Sequence, residues 1–165
     1  MSRLRVAAAA LVAVAFATLL AGCTPTVAMT AATHANDPKC AAVTVELPDS
    51  VAGQKQDYTN AQATGAWGDP VTVQLRCGVT PLGPTTKPCV TVASGQDSVD
   101  WVLTNDPDSS VLTYVTYGRT PAVEVTIKHG AGGVSDANVL PDLAQAVASI
   151  PQSSIHKCLS TGDTR

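Results

Sequence analysis

Five cysteines constrain the fold of this 165-residue chain more than any other feature. The first, Cys23, ends a stretch with a basic start at Arg3 and Arg5, an almost unbroken apolar run over residues 6–20, and small residues before the cysteine. This pattern is typical of a secretory signal peptide, and the run is shorter than the roughly 20 apolar residues that a transmembrane helix needs. The sequence therefore predicts an exported chain whose other cysteines meet an oxidising environment.

The end of this signal peptide carries a second signal. Residues 20–23 read Leu-Ala-Gly-Cys, which resembles the lipobox of bacterial lipoproteins. The resemblance implies that residues 1–22 are a cleaved lipoprotein signal peptide, that the thiol of Cys23 is diacylated, and that the new amine is often acylated too. Two or three acyl chains give stable anchoring, so we expect the chain to sit on the extracytoplasmic side of a cell membrane. An ordinary signal peptide with a chance cysteine is the alternative.

Four cysteines remain for the domain itself, namely Cys40, Cys77, Cys89 and Cys158. An even number in an exported chain predicts two disulfides, and sequence alone allows three pairings. Turn-forming residues 78–84 favour Cys77–Cys89, and Cys40–Cys158 would then join the ends of the domain and stabilise it by roughly 4–5 kcal/mol in the loop-entropy model. A zinc site is the competing interpretation, but the close C-x-x-C pairs typical of zinc sites do not occur in the sequence.

The charge balance excludes one class of partner. The sequence has 10 basic and 13 acidic residues. Two of the basic residues and none of the acidic ones lie before Cys23, so the exported part carries a formal net charge of −5. No basic run or stripe occurs. Nucleic acid is therefore not an expected partner, because its binding depends on neutralising phosphates.

The segment after the lipobox is polar and weakly patterned. Residues 23–39 comprise the lipidated N-terminus and a stretch rich in Thr, Ala and Pro. We expect a flexible tether that holds the domain roughly 20 Å from the membrane, and its threonines are candidates for glycosylation. A single extracytoplasmic domain is predicted over residues 40–165, since the length favours one domain.

Periodicity within that domain predicts an α+β fold. Alternating or β-branched runs predict strands at residues 43–47, 71–77, 89–92, 99–103, 111–117 and 122–127. A short helix is predicted over 52–58 and a loop over 60–70. Apolar residues recur at helical spacing from Val139 to Ile150, with Pro141 in the first turn. The expected architecture is a small antiparallel sheet with one C-terminal helix packed on it and two disulfides.

Several ordered motifs of this domain resemble a known family. They are Trp67-Gly68-Asp69-Pro70, Leu75-Arg76-Cys77-Gly78-Val79, Trp101, and Tyr117-Gly118-Arg119-Thr120-Pro121-Ala122-Val123-Glu124-Val125. Together they resemble the signature of small exported actinobacterial proteins catalogued as domain of unknown function 3515. The resemblance covers residues 40–158 and implies a Gram-positive, actinobacterial cell envelope. It implies no activity and no functional residue, because the family is uncharacterised.

Four residues are candidates for ligand binding. In one loop, Trp67 offers a stacking surface and Asp69 offers a hydrogen-bond acceptor. The alternative is structural: Trp67 packs under the loop, and Asp69 forms a local hydrogen bond in the turn. Arg76 falls on the polar face of its strand and Arg119 at a turn, and arginine can bind a carboxylate or phosphate through two hydrogen bonds. The alternative for both arginines is an ion pair with a nearby acid such as Glu124 or Asp69.

Motifs for catalysis or metal binding are missing from the sequence. The three histidines have no H-x-x-x-H spacing, and neither G-x-S-x-G nor a phosphate-loop motif occurs, so we expect no metal and no cofactor. Glu46, Asp100 and Glu124 would form a paired-carboxylate site only if the fold brought them together.

The sequence favours a non-catalytic envelope lipoprotein that binds a wall component, a lipid or a protein partner. The alternatives are a small envelope enzyme, such as a cell-wall hydrolase, and a structural or assembly factor. An open groove lined by Trp67, Arg76 and Arg119 would favour binding. Two carboxyl groups facing each other in a cleft would favour an enzyme, and buried, salt-bridged arginines would favour the structural role.

Overall fold

The structure is a computed structural model that describes residues 26–95 and 97–159. The predicted signal peptide and the predicted lipid-attachment residue Cys23 lie outside these described residues.

The described residues form one domain that contains both β-strands and α-helices. Its strands are β1 (Ser50–Val51), β2 (Gln54–Asp57), β3 (Thr64–Trp67), β4 (Val73–Val79), β5 (Cys89–Ser94), β6 (Asp97–Leu103), β7 (Val111–Thr116) and β8 (Ala122–Lys128). Its helices are α1 (Pro38–Val45) and α2 (Asp136–Ala148). The strands form one antiparallel sheet in the order β1-β2-β3-β4-β8-β7-β6-β5. The predicted α+β class, the antiparallel sheet and the C-terminal helix are confirmed.

The two faces of the sheet differ in polarity because side chains alternate along each strand. On β4 and β8, the paired residues Leu75 and Val125 belong to the buried core, whereas the neighbouring pair Arg76 and Glu124 is only partly buried. Helix α2 packs its buried Leu143 into the same core. We call the side that carries the core the helix face and the opposite side the outer face.

The region before β4 differs from the sequence-based prediction. No strand forms at 43–47, because residues 43–45 are the end of α1 and Glu46 is its C-cap. Helix α1 begins where Asp37 caps it by accepting a hydrogen bond from the Lys39 amide at 2.9 Å and Pro38 occupies the first turn. Such a start outweighs the β preference of the branched residues that follow. The predicted helix at 52–58 is instead the β1–β2 hairpin, whose turn places Gly53 at a φ of 76°.

Two further boundaries need correction. The segment at 60–70, predicted as a loop, contains strand β3, which pairs with β4 from Thr64↔Arg76 to Trp67↔Val73. Helix α2 begins at Asp136, so Pro141 lies in its second turn instead of its first.

The four domain cysteines form two disulfides, but the favoured pairing is wrong. The bonds are Cys40–Cys77 and Cys89–Cys158. Cys77 lies on β4 and Cys89 on β5, and β8, β7 and β6 lie between these strands. Four interstrand spacings amount to about 19 Å. A disulfide cannot cross that distance, because its Cα atoms must lie within about 7 Å of each other.

The predicted tether is docked on the domain from Val27 onward. The Val27 amide donates to the carbonyl oxygen of Tyr58 at 2.8 Å, and the His34 amide donates to that of Gly78 at 2.9 Å. Gly78 has a φ of 102°, and a Cβ there would lie 2.4 Å from the carbonyl carbon of His34. Only glycine therefore lets the N-terminal segment approach β4 so closely.

Candidate binding site on the outer face

An open groove crosses the outer face. One part, of about 330 Å³, lies between the N-terminal segment at Met29 and the side chains of Arg76 and Glu124. A second part, of about 250 Å³, extends toward Lys128. Gln74 and Thr126 line both parts, so the two are continuous. We call this surface the outer groove.

An ion pair forms the floor of the outer groove. Arg76 and Glu124 face each other in the β4–β8 register, and Nη2 of Arg76 lies 2.6 Å from Oε1 of Glu124. Nε of Arg76 donates to the same oxygen at 3.0 Å. The two side chains retain 35% and 19% of their exposure. The predicted alternative for Arg76, a local ion pair with Glu124, is confirmed, yet the pair remains accessible to a ligand.

The remaining groove side chains offer neutral hydrogen-bonding groups. The Gln74 amide both donates and accepts, and so does the Thr126 hydroxyl. Lys128 adds a positive charge at one end of the groove. The aromatic rings of Trp67, Trp101 and Tyr114 belong to the core on the helix face. The groove therefore suits an extended polar chain that carries donors and acceptors better than a sugar ring that needs an aromatic platform.

The structure does not bring Trp67 into this groove. Its side chain is completely buried, and its indole Nε1 donates to the carbonyl oxygen of Pro48 at 2.9 Å. Trp67 thus packs under the loop, as the structural alternative proposed. Asp69 lies exposed in the turn between β3 and β4.

Arg119 serves the fold instead of a ligand. Only 3% of it is exposed, and its guanidinium donates to the carbonyl oxygen of Ile150 and, at 2.7 Å, to that of Ser98. Arg119 also forms an isolated β-bridge with Gln152. These contacts fix the chain that follows α2 against the sheet, so a ligand cannot reach the guanidinium without moving that chain.

Asp100 is a second organising residue, and it is 4% exposed. Its Oδ1 accepts from the Thr91 hydroxyl at 2.6 Å, and its Oδ2 accepts from Nε2 of Gln152 at 2.7 Å and from the amide of Cys158 at 2.8 Å. From the sequence, Asp100 is a candidate only for a catalytic carboxylate. Its place between the core residues Val99 and Trp101 is a local signal that Asp100 faces away from the core. No local signal marks the C-terminal segment that covers it.

The three candidate carboxylates do not form a shared catalytic pair. Glu124 is bound to Arg76, and Asp100 is bound to Thr91 and the C-terminal segment. Glu46 occupies the exposed C-terminal end of α1. Within the described residues, no group of three or more His, Cys, Asp or Glu side chains is placed to hold a metal ion. No helix of that same part of the chain is long and apolar enough to cross a membrane.

The comparison with protein families agrees with the resemblance noted in the sequence. The family model described as Protein of unknown function (DUF3515) matches residues 4–155. The comparison with curated proteins returns no match, and neither does the comparison with solved structures. Because the family match spans most of the 165 residues, the chain belongs to the DUF3515 family.

Proposed function

We propose that this chain is an actinobacterial cell-envelope lipoprotein, anchored through Cys23, whose domain is a non-catalytic binding module. The outer groove is its binding site, and an extended polar segment of an envelope protein is its ligand. The observation that carries this proposal is the accessible Arg76–Glu124 pair on the floor of a continuous groove.

The charge pattern supports a peptide-like ligand. The Arg76–Glu124 pair is neutral as a whole, but it presents a donor group beside an acceptor group. A peptide backbone offers the complementary acceptor and donor groups, and Gln74 and Thr126 can bind further groups along its length. A purely anionic polymer could bind Lys128 but offers no donor to the Glu124 carboxylate, whereas the N–H groups of a peptide do.

The occupied carboxylates support binding without catalysis. A general base must reach the proton that it removes, and a paired-carboxylate hydrolase needs two such groups on opposite sides of the bond. Glu124 is engaged by two hydrogen bonds from Arg76, and Asp100 is buried beneath the C-terminal segment.

Site-specific photo-crosslinking in cells tests the binding site. A photoreactive residue at Thr126 lies in the groove, and one at Gln145, on the exposed side of α2, is the control. We expect Thr126 to capture a recurrent protein that Gln145 does not capture. The variant Arg76→Gln should abolish this capture while keeping its thermal unfolding close to that of the wild type. Capture from both positions alike, or capture that survives Arg76→Gln, would contradict the proposed site.

The anchor needs a separate test. The variant Cys23→Ser should move the protein from the membrane fraction to the soluble fraction, since the thiol that accepts the lipid is lost. Labelling with a fatty-acid analogue should mark the wild type and not the variant. An unlabelled wild-type protein would refute the anchor while leaving the binding groove to be judged by crosslinking.

A further inference from the structure

The first described residues of the chain are fixed to one corner of the domain. Val27 forms a parallel bridge with Thr59, and its amide and carbonyl groups bind Tyr58 and Asn60 at 2.8 and 3.2 Å. The amide of Met29 then donates to Oδ1 of Asn60 at 2.8 Å. Only three residues, 24–26, therefore separate Cys23 from Val27, the first residue bound to the domain through these contacts, which is far shorter than the predicted tether over residues 23–39.

This short connection limits how far the corner can lie from an anchored Cys23. The four Cα–Cα steps from Cys23 to Val27 span at most about 14 Å when fully extended. The polar headgroup region on each side of a bilayer is itself about 5–8 Å thick. An acylated Cys23 would therefore hold the corner at Val27 against the membrane surface or immediately above it.

The chemistry at this corner suits the interface between lipid and water. Tyr58 is 70% exposed, although it is a large aromatic residue. Tyrosine is enriched at membrane interfaces, where its ring meets apolar material and its hydroxyl meets water. A hollow of about 630 Å³ beside Tyr58 is lined by two acids, Asp49 and Asp57, and by Lys55. The local charge is thus mixed, and attraction to anionic lipids is not what would hold the corner there.

We propose that the corner formed by Val27, Tyr58 and Asn60, which we call the membrane corner, rests on the lipid bilayer with the Tyr58 ring at headgroup level. This inference rests on the proposed lipid anchor at Cys23. The outer groove is lined by residues 28–30, which follow Val27 directly. The groove therefore opens at the membrane surface, and its protein ligand must be reachable there.

Fluorescence quenching in vesicles tests this orientation. Lipidated full-length protein is reconstituted in phosphatidylcholine vesicles, with or without phosphatidylglycerol. The acyl chains of the vesicle lipids carry bromine, which quenches indole fluorescence at short range. The variant Tyr58→Trp places an indole at the membrane corner. The matched control Asp108→Trp places one in the exposed turn before β7, which lies at the opposite end of the strands. The native Trp67 and Trp101 are fully buried and give the same background in both variants.

We expect bromine to quench the added indole of Tyr58→Trp several-fold more than that of Asp108→Trp, in both lipid mixtures. Equal quenching of the two variants, or none in either, would overturn the orientation. Each variant is also prepared with Cys23→Ser, and its acylation is checked by intact mass. Protein without acyl chains would refute the anchor itself, whereas acylated protein without the difference in quenching would refute only the membrane corner.

Discussion

The two faces of the sheet are built from the same strands but serve different purposes. On the helix face, Trp67, Leu75 and Trp101 retain 1% or less of their exposure, because α1, α2 and the loops enclose them. On the outer face, the neighbouring residues Gln74 and Arg76 stay partly exposed. Folding stability is thus concentrated on one face, which leaves the other free to carry polar residues suited to a ligand.

The outer face is itself divided. Near β5 and β6 it is closed by the C-terminal segment, which Asp100 and the Cys89–Cys158 bond hold in place. Near β4 and β8 it remains open and forms the outer groove. The proposed binding site therefore occupies only the half of this face on which Arg76 lies.

The sharpest comparison of the faces replaces one residue on each. Trp67→Ala removes a completely buried indole and should lower the free energy of unfolding by about 3–5 kcal/mol. Gln74→Ala, on the outer side of the adjacent strand, should change it by no more than about 0.5 kcal/mol. Urea unfolding of both variants measures the difference. Similar losses in the two variants would show that the outer face is also committed to stability.

Strands from residue 71 onward could be predicted because their two sides differ in environment. Val73, Leu75 and Cys77 are buried, while Gln74 and Arg76 are not, and this alternation is visible in the sequence. The same alternation correctly placed Arg76 on the polar face. The region before residue 68 could not be predicted in this way. All four residues of β3 are buried, so no alternation marks that strand. Helix α1 depends on a short capping signal at Asp37, which the strand-like residues after it obscure.

The errors in the site arose from contacts between distant parts of the chain. Trp67 stands beside glycine and Asp-Pro, which indicates an exposed turn, but Pro48 and the core enclose it. The disulfide pairing depends on the strand order, which places β8, β7 and β6 between β4 and β5. Neither local periodicity nor cysteine spacing carries this information.

The two disulfides differ in exposure, as the two faces of the sheet do. Cys40 and Cys77 are completely buried with the core, whereas Cys89 is exposed and Cys158 partly so. A reductant must reach a sulfur atom to react, so Cys89–Cys158 should open first, without unfolding of the domain. Timed alkylation followed by mass spectrometry measures the order. Reduction of both bonds at one rate would mean that the helix face opens as readily as the outer face.

Removing the exposed disulfide should still cost stability. The double variant Cys89→Ala/Cys158→Ala removes the bond between two cysteines that are 69 residues apart in the sequence. We expect a loss of about 2–4 kcal/mol in urea unfolding, chiefly because the unfolded chain gains freedom. An unchanged free energy of unfolding would show that Asp100 and Arg119 hold the C-terminal segment without help from the disulfide.

The smallest expected effect concerns the margin of the helix face, where Tyr114 meets α2. Its hydroxyl donates to Oδ2 of Asp136 at 2.5 Å, and 6% of the residue is exposed. Burial raises the pKa of Tyr114 well above its ordinary value, and the adjacent Asp136 carboxylate raises it further by accepting its proton in a hydrogen bond and by charge repulsion. Tyr114→Phe should cost about 1 kcal/mol at neutral pH, because one hydrogen bond is lost.

The raised pKa fixes the direction of the pH dependence. The unfolded chain loses the Tyr114 proton near pH 10, while the folded chain still holds it, so the contribution of this group is complete below about pH 10 and declines as the pH rises further. Urea unfolding from neutral pH to about pH 11 should therefore show a steeper alkaline loss in the wild type than in Tyr114→Phe. Tyr58→Phe, which removes an exposed hydroxyl, is the matched control. If the free energy of unfolding falls equally steeply with pH in Tyr114→Phe and in the wild type, the Tyr114 hydroxyl is accessible to water. The buried part of the helix face would then not include its contact with Asp136.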